Sequence, residues 1–400
     1  MRTRNLLILT VAALLAAGCG DSAVEPERAA APESVLDFRA GLPLTERDAA
    51  RLEREFNRIT ARAHLIVHEG ESIQDAVDRA HPGAVIHIEP GIYAQAVVIN
   101  TPNLRLLKRP GSRGEVILEN PGGVANGITV QAEGDGIAIA HLTTRGYGRN
   151  GIFMTGVEGF FVLGVTAEDN GQYGIYPVRS TYGAMIGCRA SGHADAGLYI
   201  GQSEHVSMLL NSVFGNVIGI EISNSKYVLA HRNEAYDNTI GIFAVLLPPS
   251  ARRTILVASD VRITHNRVEH NNLPNFADPS ELPAYVPRGS GILVVGTDRV
   301  LVENNVVRHN DWVGIGVGST ATLALLAGLP PDAIKDLEPD PDHVVVRRNL
   351  VAHNGANPPP PPFPLPGVDL LWDGTGTNNC WQGNGFVTSF PPASFLPSCS

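Results

Sequence analysis

A Gly–Ile or Gly–Leu dipeptide returns along this chain at nearly constant spacing. Gly127-Ile128, Gly151-Ile152, Gly174-Ile175, Gly197-Leu198, Gly219-Ile220 and Gly241-Ile242 place their glycines 24, 23, 23, 22 and 22 residues apart. The series resumes at Gly291-Ile292 and Gly314-Ile315, again 23 apart. A period of this length is the signature of a solenoid, in which each repeat closes its core only against its neighbours. Within each unit, alternating runs such as Ile220-Glu221-Ile222 are strand-like. Each unit therefore reads as one coil of about three short strands, stacked on the next in parallel register at ~4.8 Å. The predicted fold is all-β, a right-handed parallel β-helix. Glycine before the strand is expected to permit a turn with positive φ. The Asn and Asp at the unit ends (Asp169-Asn170, Asn216, Asp237-Asn238, Asn304-Asn305, Asn310, Asn354) are expected to tolerate the left-handed conformation and to bond between coils.

An open solenoid end exposes backbone edges and core, so both ends require caps. Residues 71–80 read as a short helix with Ser72 as N-cap, stopped by His81-Pro82-Gly83. Before it, Ala49, Leu52, Phe56 and Ile59 form an apolar stripe at helical spacing behind Thr45. At the far end five prolines, Pro358 to Pro362, exclude helix and central strand and are expected to cross the end as polyproline II. Two excursions interrupt the coils. One spans about 246–290 and holds part of a coil (Val261 to Asn266); the other spans about 320–342. Long excursions from a regular scaffold are frequent sites of function, though they serve equally as surface loops.

The N-terminus has the form of an export signal. Arg2 and Arg4 precede an apolar stretch, Leu6 to Ala17, which is short for a membrane span. Leu15-Ala16-Ala17-Gly18-Cys19 resembles the lipobox of bacterial lipoproteins. That resemblance implies cleavage before Cys19, acylation of Cys19 and a lipid-anchored protein of the cell envelope, with the outer membrane favoured by Gly20 after the cysteine; an ordinary secretory signal with a chance cysteine is the alternative. With Cys19 lipidated, Cys380 and Cys399 are left to pair in an oxidising compartment, and Cys188, in apolar surroundings, remains a buried thiol. The chain then divides into a signal peptide (1–18), a tether (19–40), an N-terminal helix (41–64), the β-helix (65–357) and a Pro-rich, disulfide-closed cap (358–400). The net charge of −10 argues against nucleic acid as a partner.

The segment from Ser72 to Ile99, together with residues 192–203, 215–225, 236–244 and 286–292, resembles the parallel β-helix repeat superfamily that shares the pectate-lyase fold, and within it a narrower set of exported lipoproteins without assigned activity. The resemblance covers about residues 65–400 and speaks for fold, since one fold hosts many chemistries. Mannuronan epimerases of this superfamily carry Tyr-Gly-Phe-Asp-Pro-His at a coil start. Here Tyr173-Gly174-Ile175-Tyr176-Pro177-Val178 puts Tyr176 and Val178 where that motif has Asp and His, so the activity does not carry over. The polygalacturonase aspartate set is not visible.

The residue two after each glycine should point outward if the first points in. Those positions read Thr129, Phe153, Tyr176, Tyr199, Glu221 and Phe243. Phe153, Tyr176, Tyr199, Glu221 and Phe243, with Gln202 beside them, form a candidate binding stripe for sugar rings; a ladder that merely stabilises the sheet, or lies beneath an excursion, is the alternative. For uronate chemistry, Arg179 would neutralise the carboxylate, His193 or Glu221 would take the proton, and Tyr176 or Tyr199 would give one. Asp195 and His193 share the turn before Tyr199, and Asn224 follows Arg179 and Gln202 at the fifth position. His265, His270, His309 and His353 fit turn positions better than a ligand set, and no metal or cofactor is expected. Two functional classes remain. One is an envelope scaffold that binds a polysaccharide or another envelope protein; the other is a polysaccharide lyase or epimerase.

Overall fold

The computed structural model describes residues 46–250, 253–360 and 365–399. The signal segment, Cys19, the tether, Thr45 and the latter part of the proline run lie outside the described residues. The inward positions of the Gly–Ile series align in a single column. Ile128, Ile152, Ile175, Leu198, Ile220, Ile242, Ile292, Ile315 and Leu370 are partners in successive parallel pairings. All are buried. Repetition of this register builds three parallel sheets of 12, 11 and 10 strands, wound as a right-handed parallel β-helix. The lumen is filled by stacked aliphatic and aromatic side chains, Tyr93, Tyr147 and Phe160 among the largest.

The glycines of the series serve a purpose other than the one expected. None has positive φ. Each instead lies under the next coil: a Cβ on Gly219 would meet the carbonyl oxygen of Gly241 at 2.5 Å, and one on Gly174 the carbonyl of Gly197 at 2.4 Å. Close approach between coils excludes a side chain there. The left-handed residues stand elsewhere, immediately before the ladder asparagines, as at Asp169, Asp237, His270, His309 and His353.

The asparagines form two buried ladders. In one, Asn216 Nδ2 donates to Asn238 Oδ1 (3.0 Å), Asn238 to Asn271 (2.9 Å), Asn271 to Asn310 (3.1 Å) and Asn310 to Asn354 (2.9 Å), ending on Asp369. The same Oδ1 atoms accept a backbone N–H from the preceding coil. The second ladder links Asn211, Asn233, Asn266, Asn305, Asn349 and Asn384. Cys188 heads this second column; its N–H donates to Asn211 Oδ1, and burial pushes its thiol up to about 12.

A helix, Ile73–Asp78, buries Ile73, Ala76 and Val77 against the first coils, and Ser72 Oγ accepts from Asp75 N at 3.0 Å. A second helix, Glu46–Ile59, lays Ala49, Leu52 and Phe56 on the outer face of the 12-stranded sheet, against Leu107, Ala138, Phe161 and Ala184. At the far end Cys380 and Cys399 are joined in a disulfide, Trp381 N–H donates to the carbonyl of Pro397, and Trp372 packs on Trp381.

The excursions leave the coils intact. One connects Ile240–Val245 to Ser259–Thr264, and a second connects Arg267–Glu269 to Ser290–Val295. A third, carrying the helix Thr320–Leu326, lies between Val313–Gly318 and Val345–Arg347. The flanking strands remain in register across every gap.

Candidate functional site

The outward stripe is in register: Phe153 pairs with Thr129 and Tyr176, Tyr199 with Glu221, and Glu221 with Phe243. Its rings are in contact. Phe153 and Tyr176 lie 5.5 Å apart and Tyr176 and Tyr199 4.5 Å, and Tyr173 stacks flat on Tyr176 at 4.2 Å. The expectation of an exposed stripe holds only at its lower end, where Phe153, Tyr173 and Tyr176 are half-buried. Tyr199, Glu221 and Phe243 retain 6%, 4% and 4% of their exposure, because the excursions fold back over them. Gln202 and Asn224 help to fix that roof. Gln202 Oε1 accepts the N–H of Thr254, and Asn224 exchanges hydrogen bonds with the backbone of Leu247 and donates to the carbonyl of Ile255.

Between sheet and roof lies a cavity of about 170 Å³. Its floor is Tyr199, Ile218, Glu221, Ile240, Phe243 and Leu293, and its walls come from Leu247, Arg253, Leu282, Pro283, Tyr285, Val286, Pro287, Leu323, Ala324 and Ala327. At its polar end sit the buried carboxyls of Asp195 and Glu221, near enough to act on each other. Burial pushes both carboxyls above the usual carboxylate range, and for Glu221 the neighbouring Asp195 adds to the effect. Tyr173 approaches Asp195 from the stack. Asp195 Oδ1 is nonetheless buried without a hydrogen-bond partner among the described residues. The phenol of Tyr176 is raised to about 12, by burial first and by Glu221 and Asp195 next, so it stays a donor at neutral pH.

Two of the candidate residues lie apart from this pair. His193 is fully buried in the first asparagine ladder, where its Nδ1 meets Asn216 Oδ1 at 2.7 Å and its Nε2 meets Asn170 Nδ2 at 3.2 Å. Burial lowers its pKa to about 4. Arg179 is exposed in a left-handed turn and does not line the cavity. The residues that sequence reasoning missed are Tyr173, Arg253 and Glu281. Tyr173 occupies the position before the glycine, which faces outward in each coil, as Ala196, Ile218 and Ile240 also do. Arg253 and Glu281 arrive from the excursions, whose docking leaves no local pattern. No group of three or more His, Cys, Asp or Glu side chains suited to a metal ion occurs among the described residues.

A model of the right-handed β-helix region matches residues 150–328. Among solved structures, the chain is similar to the A-modules of two mannuronan C-5 epimerases of Azotobacter vinelandii. For AlgE4 the identity is 15%, with 79% of this chain and 92% of that chain covered and a TM-score of 0.54. For AlgE6 the values are 15%, 80%, 92% and 0.55. At this identity the likeness is one of fold. No curated protein matches the sequence. The matched region, the three parallel sheets and the shared architecture agree: this chain has the fold of a right-handed parallel β-helix.

Proposed function

We propose that this protein is a ligand-binding protein of the cell envelope that takes its ligand in the roofed cavity, not along the open length of the solenoid. The supporting observation is the unpartnered Asp195 Oδ1 at the polar end of a cavity walled by apolar side chains. A buried acceptor without a donor costs about 1–3 kcal/mol, and a bound ligand that supplies the donor recovers it. A cavity with a few convergent polar groups and perturbed carboxyls is the form that small-molecule sites take. Calorimetry and thermal melts of the mature protein against small amphiphiles and neutral, amino and uronate oligosaccharides test this. A compact ligand with a donor head should raise the melting temperature, and Ala327→Trp, which fills the cavity from the roof, should abolish the effect. A ligand bound equally well by Ala327→Trp would place the site elsewhere.

A second reading, proton-transfer chemistry on a uronate-containing glycan, is favoured by the Asp195–Glu221 pair beside tyrosines that remain protonated. With His193 in the ladder and Arg179 exposed, the base would be one of the two carboxylates, the acid Tyr176 or Tyr199, and the neutralising cation Arg253. Phe153 and Tyr176 would offer ring faces to a sugar at the open end of the stack. Incubation with uronate polysaccharides, scored for unsaturated ends and for C5 inversion, decides it. Turnover lost in Glu221→Gln supports the enzyme, and no turnover across the panel removes it.

Anchoring through Cys19 belongs to the same proposal. Cys19→Ser should take up no labelled palmitate and should leave the membrane fraction. Label incorporated into that variant would refute the anchor.

A further inference from the structure

We infer that the cavity selects a compact amphiphile bearing a protonated amine. The inference rests on the cavity being the binding site. Its first support is the sign of the groups at the polar end. Glu281 is the further acid and Arg253 the base that act on the Asp195–Glu221 pair, Tyr173 stands beside it, and Arg149 acts on Tyr176 farther along the stack. Around the pair itself three carboxyls stand against one guanidinium, so the polar end is acidic. An anionic head would have to enter against two buried carboxyls, whereas a cation completes them.

The second support is hydrogen-bond directionality. Asp195 Oδ1 has no hydrogen-bond partner among the described residues, and in the ionised form that it takes beside a cation it accepts, so a donor head completes it. An ammonium brings three N–H donors and no acceptor. The third is the shape of the remainder. A cavity of about 170 Å³ floored by Ile218, Ile240, Phe243 and Leu293 suits a body of roughly benzene size. A polymer chain does not fit such a volume.

The exchange is balanced. The empty pair holds one proton and one negative charge. When the ammonium enters, that proton leaves to solvent, both carboxylates face the cation, and no covalent bond is made or broken. Burial, which raises both carboxyls when the site is empty, ceases to favour the proton once a positive charge is beside them.

Benzylamine, benzyl alcohol and benzoate share one body and differ in head charge. Calorimetry of the mature protein at neutral pH, in phosphate and in Tris, reads affinity and proton release together. Benzylamine should bind about tenfold more tightly than benzyl alcohol, with release of up to about one proton; benzoate should not bind. Asp195→Asn and Glu221→Gln should each remove the preference for the amine while sparing the alcohol, and either variant alone suffices if the other fails to fold. Benzoate binding as well as benzylamine, or an amine preference unchanged in both variants, overturns the inference. If the alcohol binds and the amine is no better, the cavity stands as a binding site and the amine inference falls. If none of the three binds, both fall.

Discussion

Asn238→Ala should destabilise the protein by about 4 kcal/mol, out of all proportion to the three atoms removed. Asn238 Oδ1 accepts both the N–H and the Nδ2 of Asn216, and its own Nδ2 donates to Asn271 Oδ1 and to the carbonyls of Val213 and Tyr236. All of these groups but the half-buried Tyr236 carbonyl are shut away from water, so truncation leaves donors and acceptors with no replacement partner, at about 1–3 kcal/mol for each that stays unsatisfied. The methyl group of alanine also leaves a gap beneath Gly219, which was shaped to that amide. Denaturant unfolding of the variant beside the parent measures the loss. A change below about 1 kcal/mol would mean that water or local repacking takes over the ladder bonds, and that the column contributes little.

The second large effect is acid sensitivity centred on His193. Its pKa falls from an ordinary 6.5 to about 4, chiefly through burial. The position reinforces the effect: with Nδ1–H donating to Asn216, Nε2 must accept from Asn170, and a proton on Nε2 would set two donors face to face. The folded state therefore binds fewer protons than the unfolded chain between these values. Its stability is complete above pH 6.5 and declines as the pH falls toward 4, by about 3 kcal/mol in all. The buried Asp195–Glu221 pair acts in the opposite sense, since carboxyls raised in the folded state cost stability as the pH rises. The informative quantity is thus the difference between the parent and His193→Asn, which restores the amide used by the neighbouring coils. Melts of both proteins from neutral pH to pH 4 should diverge, with the variant less sensitive to acid. Parallel curves would show that His193 is charged in the folded protein.

The coil was legible because its period is a covalent fact: a glycine every 22–24 residues fixes which side chains stack, and Ile128 to Leu370 do so. The reason for the glycine was not legible. A turn and a close approach demand the same residue, and only the coordinates show that φ is ordinary and that the next coil's carbonyl is the obstacle. The stripe was legible as a column, but whether it forms a surface or lies beneath an excursion was not, because alternation reports which side of a sheet a residue faces, not what lies beyond it. Tyr199 and Glu221 face out of the sheet and into Leu247, Pro283 and Leu323, residues that dock from far along the chain. His193 was misplaced for a related reason. Its neighbour Asp195 reaches the cavity, but two residues earlier the turn directs the imidazole into a position held by asparagine in the coils of Asn170, Asn216 and Asn238. Arg253 and Glu281 had no periodic context from which a role could be read.

The excursions begin and end on strands that stay paired across the gap, as Ile242 does with Ile292 and Val302 with Val346. The scaffold and the walls of the cavity are thereby written in separate parts of the same gene, while Asp195 and Glu221 at its polar end stay with the coils. A change in length or sequence between 273 and 288, or between 320 and 342, alters the walls of the cavity while the ladders and the lumen are left as they were. Related chains can therefore change the walls of this cavity far faster than the way they fold, and a graft of one chain's roof onto another's coils would show how much of a specificity the walls carry.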